Sequence, residues 1–82
     1  MNIYLITQKH NNGWDTFDSA VVLAKTKAEA ILTHPDEYKK DWDGTDDEYG
    51  AWVEAALVTC YKIGVADDGL SAQVLCSSFN AG

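Results

Sequence analysis

The residues with the clearest chemical potential form an acidic run, residues 36–48, which we call the acidic segment. Seven of the thirteen carboxylates of the chain lie there, beside Lys39 and Lys40. Clustered carboxylates can bind calcium, and an EF-hand loop needs oxygen ligands at positions one and twelve around a glycine at position six. Aligning Gly44 with that glycine puts Lys39 first and Gly50 twelfth, which excludes an EF-hand. We predict no metal or other cofactor, with a nonstandard calcium site as a lesser alternative.

The histidines and cysteines lack the paired spacing that zinc sites use. His34 with Cys60 or Cys76 has the residue types of a base and a nucleophile. A cysteine inside an apolar, strand-like run is more often an inert core residue, however. The sequence contains neither a glycine-rich phosphate loop nor a G-x-S-x-G motif. We therefore predict a protein without enzymatic activity and assign no catalytic residue.

The charge of the chain points to a basic partner. Its 82 residues carry a net charge of −7 and include no arginine. Phosphate binding needs clustered Lys or Arg, so we expect no direct binding to nucleic acid or to an anionic membrane. Complementary fields would instead favour a basic protein surface. A charge that only keeps a small protein soluble is the plainer alternative.

The length of the chain predicts a single domain spanning residues 1–82. The first residues lack the basic and apolar regions of a secretory signal, and no run approaches the roughly 20 apolar residues of a membrane span. We therefore expect a cytoplasmic protein, in which thiols stay reduced.

The first half of the chain predicts two strands and a helix. Residues 2–8 are apolar on both faces, which indicates a central strand, and residues 19–24 form a β-branched second strand antiparallel to it. Thr26 and Glu29 have the spacing of a capping box, which predicts a helix of about two turns ending at the His-Pro of residues 34–35. The acidic segment then predicts irregular structure.

The second half predicts two more strands. They cover residues 57–65 and 72–79, with helix or strand undecided for residues 53–58. The Asp-Asp-Gly turn between them predicts a hairpin. That hairpin would place Cys60 opposite Cys76, and whether the two sulfurs pair is left open. The predicted fold is α+β, a mainly antiparallel four-stranded sheet with one short helix on one face and an acidic loop, in the order β-β-α-loop-β-β.

Two motifs of this sequence are Gly-Trp-Asp-Thr-Phe-Asp-Ser-Ala-Val-Val at residues 13–22 and Ser-Phe-Asn-Ala-Gly at residues 78–82. With them, the chain resembles a family of short, uncharacterised proteins encoded by bacteriophages and prophages. The resemblance covers the first 35 residues and the last nine, and excludes the acidic segment. The family implies no reaction and no catalytic residue. It implies a phage accessory protein in the bacterial cytoplasm, a class that includes anti-CRISPR and anti-restriction proteins.

Charge and resemblance together predict a non-enzymatic phage inhibitor that imitates DNA. Duplex DNA carries one charge per roughly 1.7 Å of its axis, and a folded acidic surface can present a similar field to a basic channel. We expect the target to be a host defence complex, with a CRISPR effector favoured. The predicted contact residues are Asp36, Glu37, Asp41, Asp43, Asp46, Asp47 and Glu48, with Trp42, Tyr49 and Trp52.

Aromatic residues suggest an alternative function. Trp14, Phe17, Trp42, Tyr49 and Trp52 would form an exposed contact for self-association or for a phage partner. The chain would then be a monomer or a weak homodimer. If the rings of the acidic segment instead turn inward, they hold its carboxylates in place. A plain solvated loop is the remaining interpretation of the segment.

Overall fold

The computed structural model of the chain describes residues 1–47, 50–67 and 69–80. Four antiparallel strands form one sheet, and one short α-helix follows the second strand. This confirms the predicted α+β class and the predicted order of elements. The strands are β1 (Asn2–Thr7), β2 (Thr16–Ala24), β3 (Thr59–Val65) and β4 (Gln73–Asn80).

The order of strands across the sheet is β3-β1-β2-β4. The apolar pattern on both faces of β1 correctly indicated a central strand, since β1 pairs with β2 on one side and β3 on the other. β2 begins at Thr16, three residues earlier than predicted, because its first residues pair with β4. Thr16 lies opposite Asn80, and Phe17 lies opposite Phe79.

The predicted hairpin between the last two strands is wrong. β3 and β4 occupy opposite edges of the sheet, with β1 and β2 between them. The Asp-Asp-Gly pattern is a local turn signal, whereas β3 and β4 pair with strands from the first half of the chain. Cys60 therefore lies opposite Ile6, and Cys76 lies opposite Val21, so the two cysteines are not neighbours and both are free. Asp68, in the expected turn, lies outside the described residues.

Helix α1 (Lys27–Ile31) begins as its capping residues predicted. The Thr26 hydroxyl accepts a hydrogen bond from the Glu29 amide at 3.2 Å. The Glu29 carboxylate accepts from the Lys25 amide at 3.1 Å, one residue before the N-cap amide that a capping box uses. The helix is shorter than the predicted two turns. The undecided stretch contains a 3₁₀-helix, Ala55–Leu57, before β3.

The two faces of the sheet have different surroundings. Paired residues in neighbouring antiparallel strands point to the same face, so the register arranges the side chains in rows across the sheet. One row is Cys60–Ile6–Ala20–Ser77, and its face, the covered face, packs against Ala30 of α1 and Trp52. The opposite face is called the open face, although one of its residues, Leu23, is only 1 % exposed. Its rows are Tyr61–Leu5–Val21–Cys76, Thr59–Thr7–Ser19–Ser78 and Gly64–Ile3–Leu23–Gln73.

Candidate binding surface on the acidic segment

The acidic segment runs from the end of α1 toward the 3₁₀-helix. Its described part, residues 36–47, contains no helix or strand, which confirms the expected irregular structure. Irregular backbone needs specific contacts to hold one conformation, because it lacks the repeating hydrogen bonds of a helix or sheet. Three sets of contacts hold this segment, and each involves a residue of the acidic run.

The first anchor is a buried hydrogen-bond network around His34. The His34 ring is closed off from solvent, and its Nδ1 accepts a hydrogen bond from the Asp36 amide at 3.0 Å. That bond assigns the proton of the neutral ring to Nε2, which lies 3.1 Å from the Asp47 carboxylate. The other oxygen of Asp47 lies 2.8 Å from the Lys39 ammonium. Asp47 is thus held between a ring N–H and an ammonium group.

The burial of His34 has an electrostatic consequence. Burial lowers the pKa of its ring from the ordinary value of 6.5, although the hydrogen bond and the charge of Asp47 act in the opposite direction. The neutral ring is the form that both hydrogen bonds require. A protonated ring would direct an N–H from Nδ1 at the Asp36 amide, and two donors cannot bond to each other.

Asp47 is therefore not part of the exposed acidic surface that the sequence predicted. Its side chain is only 3 % exposed, and its oxygens contact His34 and Lys39. Nothing in the sequence separates it from its neighbour Asp46, which is exposed. The signal that could have found it is the buried histidine, since a buried polar ring needs partners.

The second anchor is Trp42. Its indole N–H donates to the Thr45 carbonyl at 2.8 Å, and its ring stands edge-on to His34 with centroids 5.5 Å apart. Trp42 is half-buried against the core, so this ring turns inward as one interpretation of the sequence had it. Thr45 also donates to the Asp43 carboxylate, from its hydroxyl at 2.6 Å and from its amide at 3.1 Å. These bonds, the hydroxyl first, lower the pKa of Asp43.

The third anchor is Gly44, which has a φ of 89°. A side chain is strained at that φ, and a Cβ there would lie 2.8 Å from Leu32 and 3.2 Å from Ala55. The close approach allows the Ala55 amide to donate to the Gly44 carbonyl at 2.8 Å. The bend therefore joins the acidic segment both to the end of α1 and to the 3₁₀-helix.

The carboxylates that remain on the surface are fewer than the sequence predicted. Asp36 is half-buried, and its carboxylate accepts from the Tyr38 amide at 3.0 Å. Glu48 and Tyr49 lie outside the described residues. Among the described residues of the segment, the exposed carboxylates are Glu37, Asp41, Asp43 and Asp46.

Trp52 is not a contact residue either, because it is 2 % exposed and belongs to the core. Its indole N–H has no hydrogen-bond partner among the described residues. The described rings of the alternative aromatic interface differ in exposure and do not all face solvent. Trp14 is exposed, whereas Phe17 packs against Phe79 with centroids 4.7 Å apart.

Tyr38 is 90 % exposed and is not among the contact residues that the sequence predicted. Tyr38 and Trp42 line a shallow groove of about 360 Å³ together with Asp41, Asp46 and the Lys39–Asp47 ion pair. Aromatic faces beside carboxylates suit the side chain of an arginine or lysine, which gains both cation–π and ionic contacts there. The spacing Tyr-x-x-x-Trp at residues 38–42 was the available signal.

The structure bears on the cysteine nucleophile and on the metal site that the sequence raised as alternatives. Cys60 is buried on the covered face, and burial raises the pKa of its thiol, which disfavours the nucleophilic thiolate. Within residues 1–47, 50–67 and 69–80, no three His, Cys, Asp or Glu side chains come together as a metal site. No helix in those residues is long and apolar enough to cross a membrane.

Comparison with known proteins gives no relative from which a function could be transferred. No protein-family model matches the chain, and no curated protein or solved structure matches it. The geometry and charge of the acidic segment are therefore the basis on which a function can be inferred.

Proposed function

We propose that the chain is a non-enzymatic inhibitor that binds the basic nucleic-acid site of a host defence complex through the acidic segment. We favour a CRISPR effector as the target, on the resemblance to phage proteins. The segment would occupy the site in place of nucleic acid. Its exposed carboxylates would stand in for phosphates, and the partner would supply clustered Lys and Arg.

The observation that carries the proposal is the anchoring of the acidic segment. Glu37, Asp41, Asp43 and Asp46 are exposed on a backbone held at His34, Trp42 and Gly44. A fixed array of charges binds with a smaller loss of conformational entropy than a flexible loop does.

The groove beside Tyr38 and Trp42 adds a specific contact to this field. One arginine or lysine of the partner would enter it between Asp41 and Asp46. Charge complementarity would set the association rate and its sensitivity to salt, while the groove would contribute most to the lifetime of the complex.

A competition assay tests the proposal. Purified CRISPR effector complexes would be mixed with fluorescent duplex DNA and increasing amounts of the protein, at several salt concentrations. We expect the protein to displace the DNA, with a displacement that weakens as salt rises. The double substitution Asp41→Lys and Asp46→Lys should weaken displacement at least tenfold, because it reverses two exposed charges and leaves the hydrogen bonds at His34, Trp42 and Gly44 in place.

Asp67→Lys/Glu54→Lys is the matched control, since it reverses two exposed carboxylates outside the segment. It changes the net charge by the same amount. If the control and the test variant lose the same amount of DNA displacement, the effect comes from total charge. That result would contradict a binding surface confined to the acidic segment. Full activity of the Asp41/Asp46 variant would remove the acidic segment from the mechanism.

A further inference from the structure

The connection between β1 and β2 contains an Asn-Gly sequence at residues 12–13, outside the acidic segment. Both residues are exposed. The side-chain amide of Asn12 donates to the Lys9 carbonyl at 3.4 Å, which is longer than an ordinary N–H···O hydrogen bond. The fold therefore holds this carboxamide weakly, and its Cγ atom is open to attack.

The backbone nitrogen of Gly13 is the nucleophile that this position supplies. Within residues 1–47, 50–67 and 69–80, the Gly13 N–H takes part in no hydrogen bond, whereas its carbonyl accepts from the Thr16 hydroxyl at 2.7 Å. Glycine also has no side chain to obstruct the approach of its nitrogen to the preceding residue. The nitrogen is thus free to close a five-membered ring with the Asn12 side chain, and such intramolecular attack is strongly favoured by proximity.

The other three asparagines of the chain have side-chain amides that the fold holds. Asn2 donates two hydrogen bonds, at 3.2 and 3.1 Å, one of them to a backbone carbonyl. Asn80 donates to the Asp18 carboxylate at 2.8 Å, and Asn11 donates to the Gly50 carbonyl. Each of the three is followed by a residue with a side chain. Sequence and structure therefore both separate position 12 from the other asparagines.

We propose that Asn12 is a site of spontaneous deamidation in the folded chain. The Gly13 nitrogen attacks Cγ of Asn12, the new N–Cγ bond replaces the Cγ–Nδ2 bond, and ammonia leaves with the proton of the Gly13 N–H. Water then opens the cyclic succinimide at one of its two carbonyl carbons. The product has an aspartate or an isoaspartate at position 12, and water is the one reagent consumed. The inference is independent of the proposed function.

The reaction adds one negative charge to the −7 of the chain. The new carboxylate would lie on the same connection as Trp14, which is 79 % exposed. That connection is held by the Gln8 side chain, which donates to two backbone carbonyls and accepts from two backbone amides. None of these bonds uses the Asn12 side chain, so we expect the aspartate product to keep the fold.

Peptide mapping by mass spectrometry tests the proposal on the folded chain, incubated in mildly alkaline buffer. Exchange of the amide for a carboxyl group raises the mass of a peptide by about 1 Da. We expect Asn12 to lose its amide at least tenfold faster than Asn2, Asn11 and Asn80, with fragment ions separating Asn11 from Asn12. Anion exchange should show a second species with one more negative charge, and Asn12→Gln should abolish that species.

Gly13→Ala is the matched variant, because a Cβ at Gly13 would have its closest contact at 3.9 Å, on the Asn11 side chain. The variant should therefore fold as the wild type does, which circular dichroism checks. The added methyl group obstructs ring closure, so the loss of the Asn12 amide should slow at least tenfold.

A second incubation in urea separates the effect of the fold from that of the local sequence. Unfolding releases the amides of Asn2, Asn11 and Asn80 from their partners, so their losses should accelerate. The loss at Asn12 should change little, because the fold leaves this residue exposed.

Three results would overturn the proposal. The first is a folded chain in which all four asparagines lose their amides at the same rate. The second is a loss at Asn12 that accelerates at least tenfold in urea, which would mean that the fold protects this site. The third is a Gly13→Ala variant that loses the Asn12 amide as fast as the wild type, which would contradict attack by the Gly13 nitrogen.

Discussion

The covered and open faces of the sheet are made of similar residues and differ in what lies over them. In β1, Tyr4 and Ile6 point to the covered face and are buried, while Ile3 and Leu5 point to the open face and are only partly buried. The acidic segment supplies part of the cover, through Trp42 and the His34 network. The comparison teaches that this segment has two roles, since some of its residues complete the core and others face solvent.

Two tryptophans give the sharpest test of the difference between residues that complete the core and residues that face solvent. Trp52→Ala should cost about 3 to 5 kcal/mol of unfolding free energy, because it removes the largest side chain between the covered face and solvent. Trp14→Ala should change stability by less than about 0.5 kcal/mol, since Trp14 is 79 % exposed. Urea denaturation followed by circular dichroism measures both.

Trp52→Phe refines this result. It keeps most of the ring while removing the indole N–H that has no partner among the described residues. We expect it to cost less than half as much as Trp52→Ala. If Trp52→Phe and Trp52→Ala lose the same unfolding free energy, the indole N–H itself contributes to stability. That result would contradict the lack of a hydrogen-bond partner for this N–H among the described residues.

Two isoleucines of the sheet compare a buried site with an exposed one. Ile6→Ala should cost about 3 kcal/mol, because Ile6 is fully buried on the covered face. Ile63→Ala should cost less than about 1 kcal/mol, since Ile63 is already half exposed. Thermal unfolding gives the two values, and similar losses of stability would contradict the importance of the covered face.

Two adjacent aspartates repeat the comparison inside the acidic segment. Asp47→Ala should cost about 2 kcal/mol, because it leaves the buried His34 N–H and the Lys39 ammonium without their shared acceptor. Asp46→Ala should have an effect within about 0.5 kcal/mol. Chemical denaturation gives the unfolding free energy of both variants. If Asp47→Ala leaves that free energy unchanged, the His34 network does not hold the segment.

The titration of His34 gives the smallest expected effect. The unfolded ring takes up a proton below about pH 6.5, whereas burial keeps the folded ring neutral to a lower pH, since it lowers the pKa in the fold. Stability should therefore fall as the pH drops below about 6.5, by up to about 1.4 kcal/mol for each unit by which the pKa is lowered.

Unfolding free energies of the wild type and His34→Gln, measured from pH 8 to pH 5, isolate this effect. His34→Gln should remove the loss of unfolding free energy at low pH. The absolute stability of the variant does not matter, because the comparison uses the slope of the unfolding free energy with pH. His10→Gln, at an exposed site, is the matched control and should retain the wild-type slope. A His34→Gln slope equal to that of the wild type would contradict the assignment.

Local patterns correctly predicted the element types. The Thr26–Glu29 spacing located the start of the helix, because capping depends on hydrogen bonds within four residues. The apolar pattern on both sides of β1 indicated its central place, because such a strand loses stability if one face or edge stays in water. The irregular character of residues 36–47 followed from their composition.

Local patterns could not locate the partners of the last two strands. The Asp-Asp-Gly turn favours a hairpin, yet β4 pairs with β2 and β3 with β1, and those pairings are long-range. No signal within a short window encodes which distant edge a strand will join. The same limit applied to Cys60 and Cys76, whose separation follows from the strand order.

The sequence by itself determined the charge of the protein, its α+β class and the position of its acidic segment, because these depend on composition and on spacing over a few residues. Only the tertiary structure decided which carboxylates of that segment reach solvent. Asp46 and Asp47 are identical and adjacent, and they differ because a buried histidine from another part of the chain meets one of them. Burial is a property of contacts between distant residues, so the recognition surface could be chosen only by the fold.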